Sequence, residues 1–207
     1  MLNKKAAMFG LDARIALAIF GALSVISGAA LYSAIQQANT MKAVMYFENM
    51  AKAYQGMYLD TGLHDIELNK AGCYIVINNP ARAGWAGPYF PIQHAKTDCT
   101  ATNEKFDLVD PIINKFSVNA TPQHSILFED YKSSTGWGQA CTATDCAVYT
   151  FTYLATISRK SGVTNDDIVA DLAKIDEVID GGDGAADGNF RYSTSGVFWG
   201  YKVMDIK

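Results

Sequence analysis

Charge is what the early part of this chain lacks. From Ile15 to Ile35 there is no Asp, Glu, Lys, Arg or His, a gap of 21 residues. Wound as a helix, that gap rises about 30 Å, the thickness of a bilayer's hydrocarbon core. Proline is missing from residues 8 to 79, so no helix-breaking residue interrupts that span. Basic clusters are missing too. No Lys/Arg stripe occurs, and a net charge of −4 argues against a nucleic-acid-binding surface. His64, His94 and His124 stand alone, and no two have the spacing of helix-borne metal ligands. G-x-S-x-G, P-loop and H-E-x-x-H patterns are all absent, so the sequence offers no catalytic motif.

Cysteine is sparse but even in number: Cys73, Cys99, Cys141 and Cys146, with no C-x-x-C pair. Cys141 and Cys146 bracket four small polar residues, a span that a disulfide closes as a tight loop. Cys73 and Cys99 are then left as a second bridge, one of three connectivities. Four free thiols are the alternative. An export segment ahead of them favours disulfides, because it delivers them to an oxidising compartment.

What is present begins with Lys4 and Lys5, ahead of Asp12, Arg14 and the apolar run. Three fates fit residues 1–35. One is a signal peptide, with Ser27-Gly28-Ala29 as a small-x-small cleavage site. Another is a permanent membrane anchor whose basic start holds the N-terminus in the cytoplasm. The third comes from resemblance and follows below. Past Ile35 the helical pattern continues, with Val44, Phe47, Met50, Tyr54 and Met57 at steps of three and four along one apolar face. Lys42, Glu48, Asn49, Lys52 and Gln55 cover much of the remainder. A single helix from Leu11 to Met57 would be about 70 Å long. Its first half is apolar all round and its second half is amphipathic. Gly62, after Tyr58-Leu59-Asp60-Thr61, suits a C-terminal cap.

The rest reads as a mixed head. Short strands are predicted at Cys73–Ile77, Ser125–Phe128 and Ala147–Leu154, the last alternating Tyr149, Phe151 and Tyr153 against Thr150 and Thr152 as a half-exposed strand. Gly84-Trp85-Ala86-Gly87-Pro88-Tyr89 is a turn whose two aromatics can cover the base of a sheet; an aromatic platform for sugars is the rival reading. A long surface loop is expected over 93–124. Thr164-Asn165-Asp166-Asp167 starts a helix whose buried stripe is Ile168, Leu172, Ile175 and Ile179, and Gly181-Gly182 stops it. Phe190–Tyr192 and Val197–Val203 form a final hairpin around Ser193–Gly196.

One run suits a metal. Between Asp176 and Asn189, closely spaced carboxylates alternate with permissive glycines, the chemistry of a calcium-binding loop. Asp180, Asp183 and Asp187 are the candidate ligands. The run is not an EF-hand, because a loop starting at Asp183 has Ala185 at its third position and Thr194 at its twelfth. A plain helix-to-strand turn is the competing reading. No other cofactor is expected.

The N-terminus resembles that of type IV pilins and type II secretion pseudopilins. Those families carry a short basic leader, a cut, an acid at the fifth mature position and a glycine nine residues later. Asp12 and Gly21 have that spacing, which puts the cut after Ala7 and the mature N-terminus at Met8. Ala7 stands in place of the usual glycine, Asp12 in place of glutamate, and Arg14 is an additional charge. A cut after Gly10 restores the glycine but puts Ile15 fifth and loses the acid. Tyr58–Gly62, the Trp85–Tyr89 phrase and the Asp-Gly run near the C-terminus also resemble pilin-like heads. The resemblance implies a leader at 1–7, a helix at 8–59 with 15–35 in membrane or filament core, and a head at 60–207. The fold it implies is α+β: a long N-terminal helix packed on a small antiparallel-sheet head. It further implies N-methylation of Met8 and pairing of that amine with Asp12 of a neighbouring subunit.

The implied role is structural rather than enzymatic. The chain would be a major or minor pilin-like subunit, with a type II secretion pseudopilin as the alternative. Its partners would be copies of itself or sister pilins, the prepilin peptidase and the inner-membrane assembly platform, with no nucleic acid. It would sit in the bacterial inner membrane with its head in the periplasm, and then in an extracellular pilus or periplasmic pseudopilus. A membrane-anchored or secreted enzyme, or a solute-binding head, is the alternative from a different class.

Overall fold

The computed structural model describes residues 3–62, 83–90, 112, 127–134, 139–153 and 161–206. The elements are α1 (Asn3–Thr61), β1 (Leu127–Tyr131), β2 (Cys146–Tyr153), α2 (Asn165–Asp180), β3 (Phe190–Tyr192) and β4 (Phe198–Ile206). The four strands form one sheet in the order β1-β2-β4-β3, every neighbour antiparallel. The layout is therefore α+β, a long N-terminal helix and a small antiparallel sheet. The chain divides into two units, Met1–Asn39 and Thr40–Lys207, so the boundary falls inside α1.

In the first unit every residue from Gly10 to Ile35 is exposed. Phe20 and Val25 are 71% and 73% accessible, and Leu17, Ile26 and Leu31 are similar. This part of the helix is long and apolar enough to cross a membrane.

In the second unit the same helix becomes one-sided. Val44, Phe47, Met50, Tyr54 and Met57 are all buried, as their spacing predicts, and Ala43, Ala51 and Ala53 widen the buried face. Lys42, Glu48, Asn49 and Lys52 face out, while Gln55, though exposed, turns toward the sheet. Phe47 packs on Phe190 and Tyr201, with ring centroids 5.7 and 6.3 Å away, and Tyr54 stacks on Phe128 at 4.8 Å. The helix ends at Thr61, where Gly62 turns left-handed (φ 65°) and its N–H donates to the Tyr58 carbonyl at 2.8 Å.

The Trp85–Tyr89 phrase docks on that last turn of α1. The Tyr89 hydroxyl accepts from the Ala86 N–H at 2.9 Å and donates to Asp60 Oδ2 at 2.7 Å. Its ring lies against Gly56, where a Cβ would sit 3.3 Å from it. Trp85 meets Tyr89 edge-on at 5.8 Å. Gly84 approaches so closely that a Cβ there would lie 2.2 Å from the Asp60 carbonyl oxygen.

Helix α2 starts where its cap sequence says. The Thr164 side chain accepts from the Asp167 N–H while the Asp167 carboxylate accepts from the Thr164 N–H, a reciprocal capping box. Ile168, Leu172 and Ile175 are buried, but the stripe continues through Asp176, and Ile179 is only half-buried.

The sheet differs from expectation in several places, one being that the strand expected at Val197–Val203 runs Phe198–Ile206. The predicted Ser125–Phe128 strand runs Leu127–Tyr131, with residues 125 and 126 outside the described set. Thr150 and Thr152 are buried rather than half-exposed. The Thr150 hydroxyl is satisfied there, accepting the Tyr201 N–H at 2.8 Å and donating to the Tyr201 carbonyl at 3.3 Å. Finally, the β2–β4 register shifts between Val148, opposite Met204, and Tyr149, opposite Lys202, so Val203 is the extra residue of a bulge. The Val203 carbonyl takes a 2.6 Å hydrogen bond from Gln55 Nε2 on α1.

Cys141 and Cys146 are disulfide-bonded, 4.8 Å apart at Cα. Cys73, Cys99, the predicted Cys73–Ile77 strand and most of the 93–124 loop lie outside the described residues.

Candidate functional site

The acidic run forms a compact turn between α2 and β3. Asp176 and Asp180 are one helical turn apart and so share a face. Gly181 and Gly182 then take left-handed backbone (φ 75° and 76°), and Gly184 and Gly188 follow at φ 118° and 72°. These reversals bring Asp183 back over the helix end. One carboxylate oxygen from each of Asp176, Asp180 and Asp183 lies within 4.8 Å of the others.

The three acids have different surroundings. Asp180 organises the turn: its Oδ2 accepts the N–H groups of Asn189 and Phe190 at 2.8 and 2.7 Å, and its Oδ1 accepts from Asn189 Nδ2 at 2.9 Å. Asp183 is exposed. Asp176 is 2% exposed, and its Oδ2 takes only a long 3.4 Å bond from the Gly184 N–H. Its Oδ1 is buried with no hydrogen-bond partner among the described residues. Burial pushes the Asp176 carboxyl above its ordinary range; the Asp183 and Asp180 charges push the same way, and the Gly184 N–H opposes them. Gly188 is required by the site itself. At φ 72° a Cβ would stand 2.6 Å from Asp183 Oδ2 and 2.7 Å from Asp180 Oδ2.

Of the three expected ligands, Asp180 and Asp183 converge; Asp187 is exposed, and its N–H closes a separate turn onto the Gly184 carbonyl at 3.2 Å. Asp176 is the third carboxylate of the cluster. The sequence signal for Asp176 was its position four residues after Leu172, on the buried stripe. Arg191 is a second residue that sequence reading missed. Only 5% exposed, it donates to the carbonyls of Gly188, Lys132 and Ser133 and lies 5.2 Å over the Tyr149 ring. It ties the acidic turn to the end of β1.

Because Asp180 holds three donors, Asp180→Ala should lower stability by about 2 kcal/mol, a value reduced for its partial exposure. Urea unfolding of the full-length protein in detergent, with chelator present, measures it.

The second group of candidate residues lies on α1. Asp12 and Gly21 are both exposed in the first unit, and a Cβ at Gly21 would meet nothing within 4 Å. Among the described residues Asp12 and Arg14 form no ion pair with each other; the described pairs are Lys174–Asp171 and Lys202–Asp205. Ala7 and Met8 fall within α1, their side chains outside the described set. No family model matches the chain, and no curated protein or solved structure is significantly similar to it.

Proposed function

We propose that this chain is a structural subunit of a type IV pilus or a related filament, anchored and then assembled through the first half of α1. The observation that carries the reading is that half-helix. It is exposed from Gly10 to Ile35 and uncharged from Ile15 to Ile35, with an acid nine residues ahead of a glycine near its start. A helix of this kind needs an apolar surround on all faces. Lipid supplies it before assembly, and neighbouring copies of the helix supply it afterwards. The exchange lets the subunit leave the inner membrane without exposing its apolar half to water. In this scheme prepilin peptidase cuts after Ala7, Met8 becomes the N-methylated terminus, and the head lies in the periplasm and then along the filament. Copies of the chain or sister pilins are the partners, delivered by the inner-membrane assembly platform. A pseudopilin in type II secretion would use the same helix in the same way.

Mass spectrometry of the membrane-extracted protein tests this. The expected terminus is methylated Met8. A terminus at Leu11 would move the cut to follow Gly10 and remove Asp12 from its role. A terminus at Ala30, or an uncut Met1, would overturn the pilin reading.

A further inference from the structure

We propose that the Cys141–Cys146 disulfide is a redox-operated latch. Closed, it holds the Asp145 carboxylate on the turn after β1; opened by a dithiol reductant, it releases that turn and the contacts beyond it. The bridge closes very little chain. Its cysteines are five residues apart, and a disulfide restricts the unfolded chain least when its loop is short. Nor does the chain reversal depend on it. The Thr142 N–H donates to the Asp145 carbonyl at 3.1 Å, and the Asp145 N–H donates to the Thr142 carbonyl at 3.3 Å. What the bridge adds is a fixed placement for the residue beside it.

That residue is Asp145. Its Oδ1 accepts the N–H groups of Ser133 and Ser134 at 2.8 and 3.1 Å, and its Oδ2 accepts from the Ser134 hydroxyl. Ser133 is joined to the sheet on its other sides. Its carbonyl accepts from Arg191 Nη2, and its hydroxyl accepts from Lys202 Nζ at 2.9 Å. Lys202 also pairs with Asp205 at 2.7 Å, and Arg191 reaches on to the Gly188 carbonyl at 3.1 Å. A line of contacts therefore runs from the disulfide through Asp145 and Ser133 to Arg191 on β3 and Lys202 on β4. Hydrogen bonds to a carboxylate are strong, but ordering a free acceptor offsets part of that strength.

Both cysteines are half-buried, and Thr142, Ala143 and Thr144 between them are exposed, so an attacking thiolate can approach. One thiolate of the dithiol attacks a bridge sulfur and breaks the S–S bond, and its second thiol resolves the mixed disulfide. Two electrons and two protons pass to Cys141 and Cys146, and the reductant leaves as a disulfide. The reduced hairpin keeps its two backbone hydrogen bonds, while Asp145 is free to leave Ser133 and Ser134.

Amide hydrogen exchange of the full-length protein in detergent tests the latch. Four forms are compared: the parent, the double variant Cys141→Ser/Cys146→Ser, Asp145→Ala, and the combined triple variant. The serine pair opens this bridge and leaves Cys73 and Cys99 in place. Exchange at Ser133 and Ser134 should quicken at least about tenfold in the serine pair, and equally in Asp145→Ala with its bridge intact. The triple variant should be no faster than either, because both changes remove the same contacts. Parent protein treated with dithiothreitol, with Cys141 and Cys146 alkylated to verify reduction, should match the serine pair. Exchange in α2 and across β2 and β4 should stay at the parent's rate. Unchanged exchange at Ser133 and Ser134 without the bridge, or effects that multiply in the triple variant, overturns the proposal. So does a bridge that dithiothreitol leaves closed in the folded protein. Faster exchange throughout the sheet, or a serine pair that does not fold, would make the bridge a global staple instead of a latch.

Discussion

Phe47→Ala should cost the second unit about 4 kcal/mol, within the usual range for truncating a buried aromatic. Phe47 is fully buried and lies between Phe190 on β3 and Tyr201 on β4, so its removal opens a cavity where helix meets sheet. With natural domains stable by only about 5–15 kcal/mol, the variant should be close to unfolding at physiological temperature. Thermal unfolding followed by near-UV circular dichroism would show it. Phe20→Ala provides the contrast. Phe20 lies in the first unit and is 71% exposed, so its loss should leave the melting of the second unit unchanged. A Phe47→Ala protein that melts with the parent would mean that this face of α1 does not carry the core.

Asp12→Ala should leave the protein processed and membrane-bound while reducing filament yield at least about tenfold. This expectation rests on the proposed filament role. A carboxylate that enters an apolar environment is expensive unless it is neutralised. The amine freed at Met8 of a neighbouring subunit can do that only when the two helices are in the assembled register. In the proposed filament Asp12 would therefore act as a register check rather than as a source of bulk affinity. Asp12→Glu should restore assembly, because it keeps the charge. Counting filaments by electron microscopy, alongside immunoblots of the membrane fraction, separates a failure to assemble from a failure to insert. Normal filaments from Asp12→Ala would remove the assembly role.

Local rules were legible in the sequence wherever one residue type decides the outcome. The capping box at Thr164 and Asp167, the stop at Gly181, the cap at Gly62 and the apolar stripe from Val44 to Met57 all fall where their chemistry puts them. Cys141 and Cys146 paired because five residues of separation leave their Cα atoms close enough. What could not be read depends on residues far apart in the chain. Thr150 looked suited to a half-exposed face, yet its hydroxyl is buried against the Tyr201 backbone. Gln55 reads as a solvent residue, yet it caps the Val203 carbonyl freed by a bulge that no local pattern announces. In the acidic turn, charge and glycine content drew attention to Asp180, Asp183 and Asp187. The helical period is what brings Asp176 to the cluster, because it turns a surface-type residue into the core.

The unit boundary between Asn39 and Thr40 has a practical side. Among the described side chains of α1 the first buried one is Ala43, so the core's share of this helix begins almost at once beyond that boundary. A chain starting at Thr40 sheds the large exposed apolar side chains from Leu11 to Ile35 and keeps every buried residue named above. Helix α1 has in effect a perforation line: on one side lie its large exposed apolar side chains, on the other the side chains that build the core.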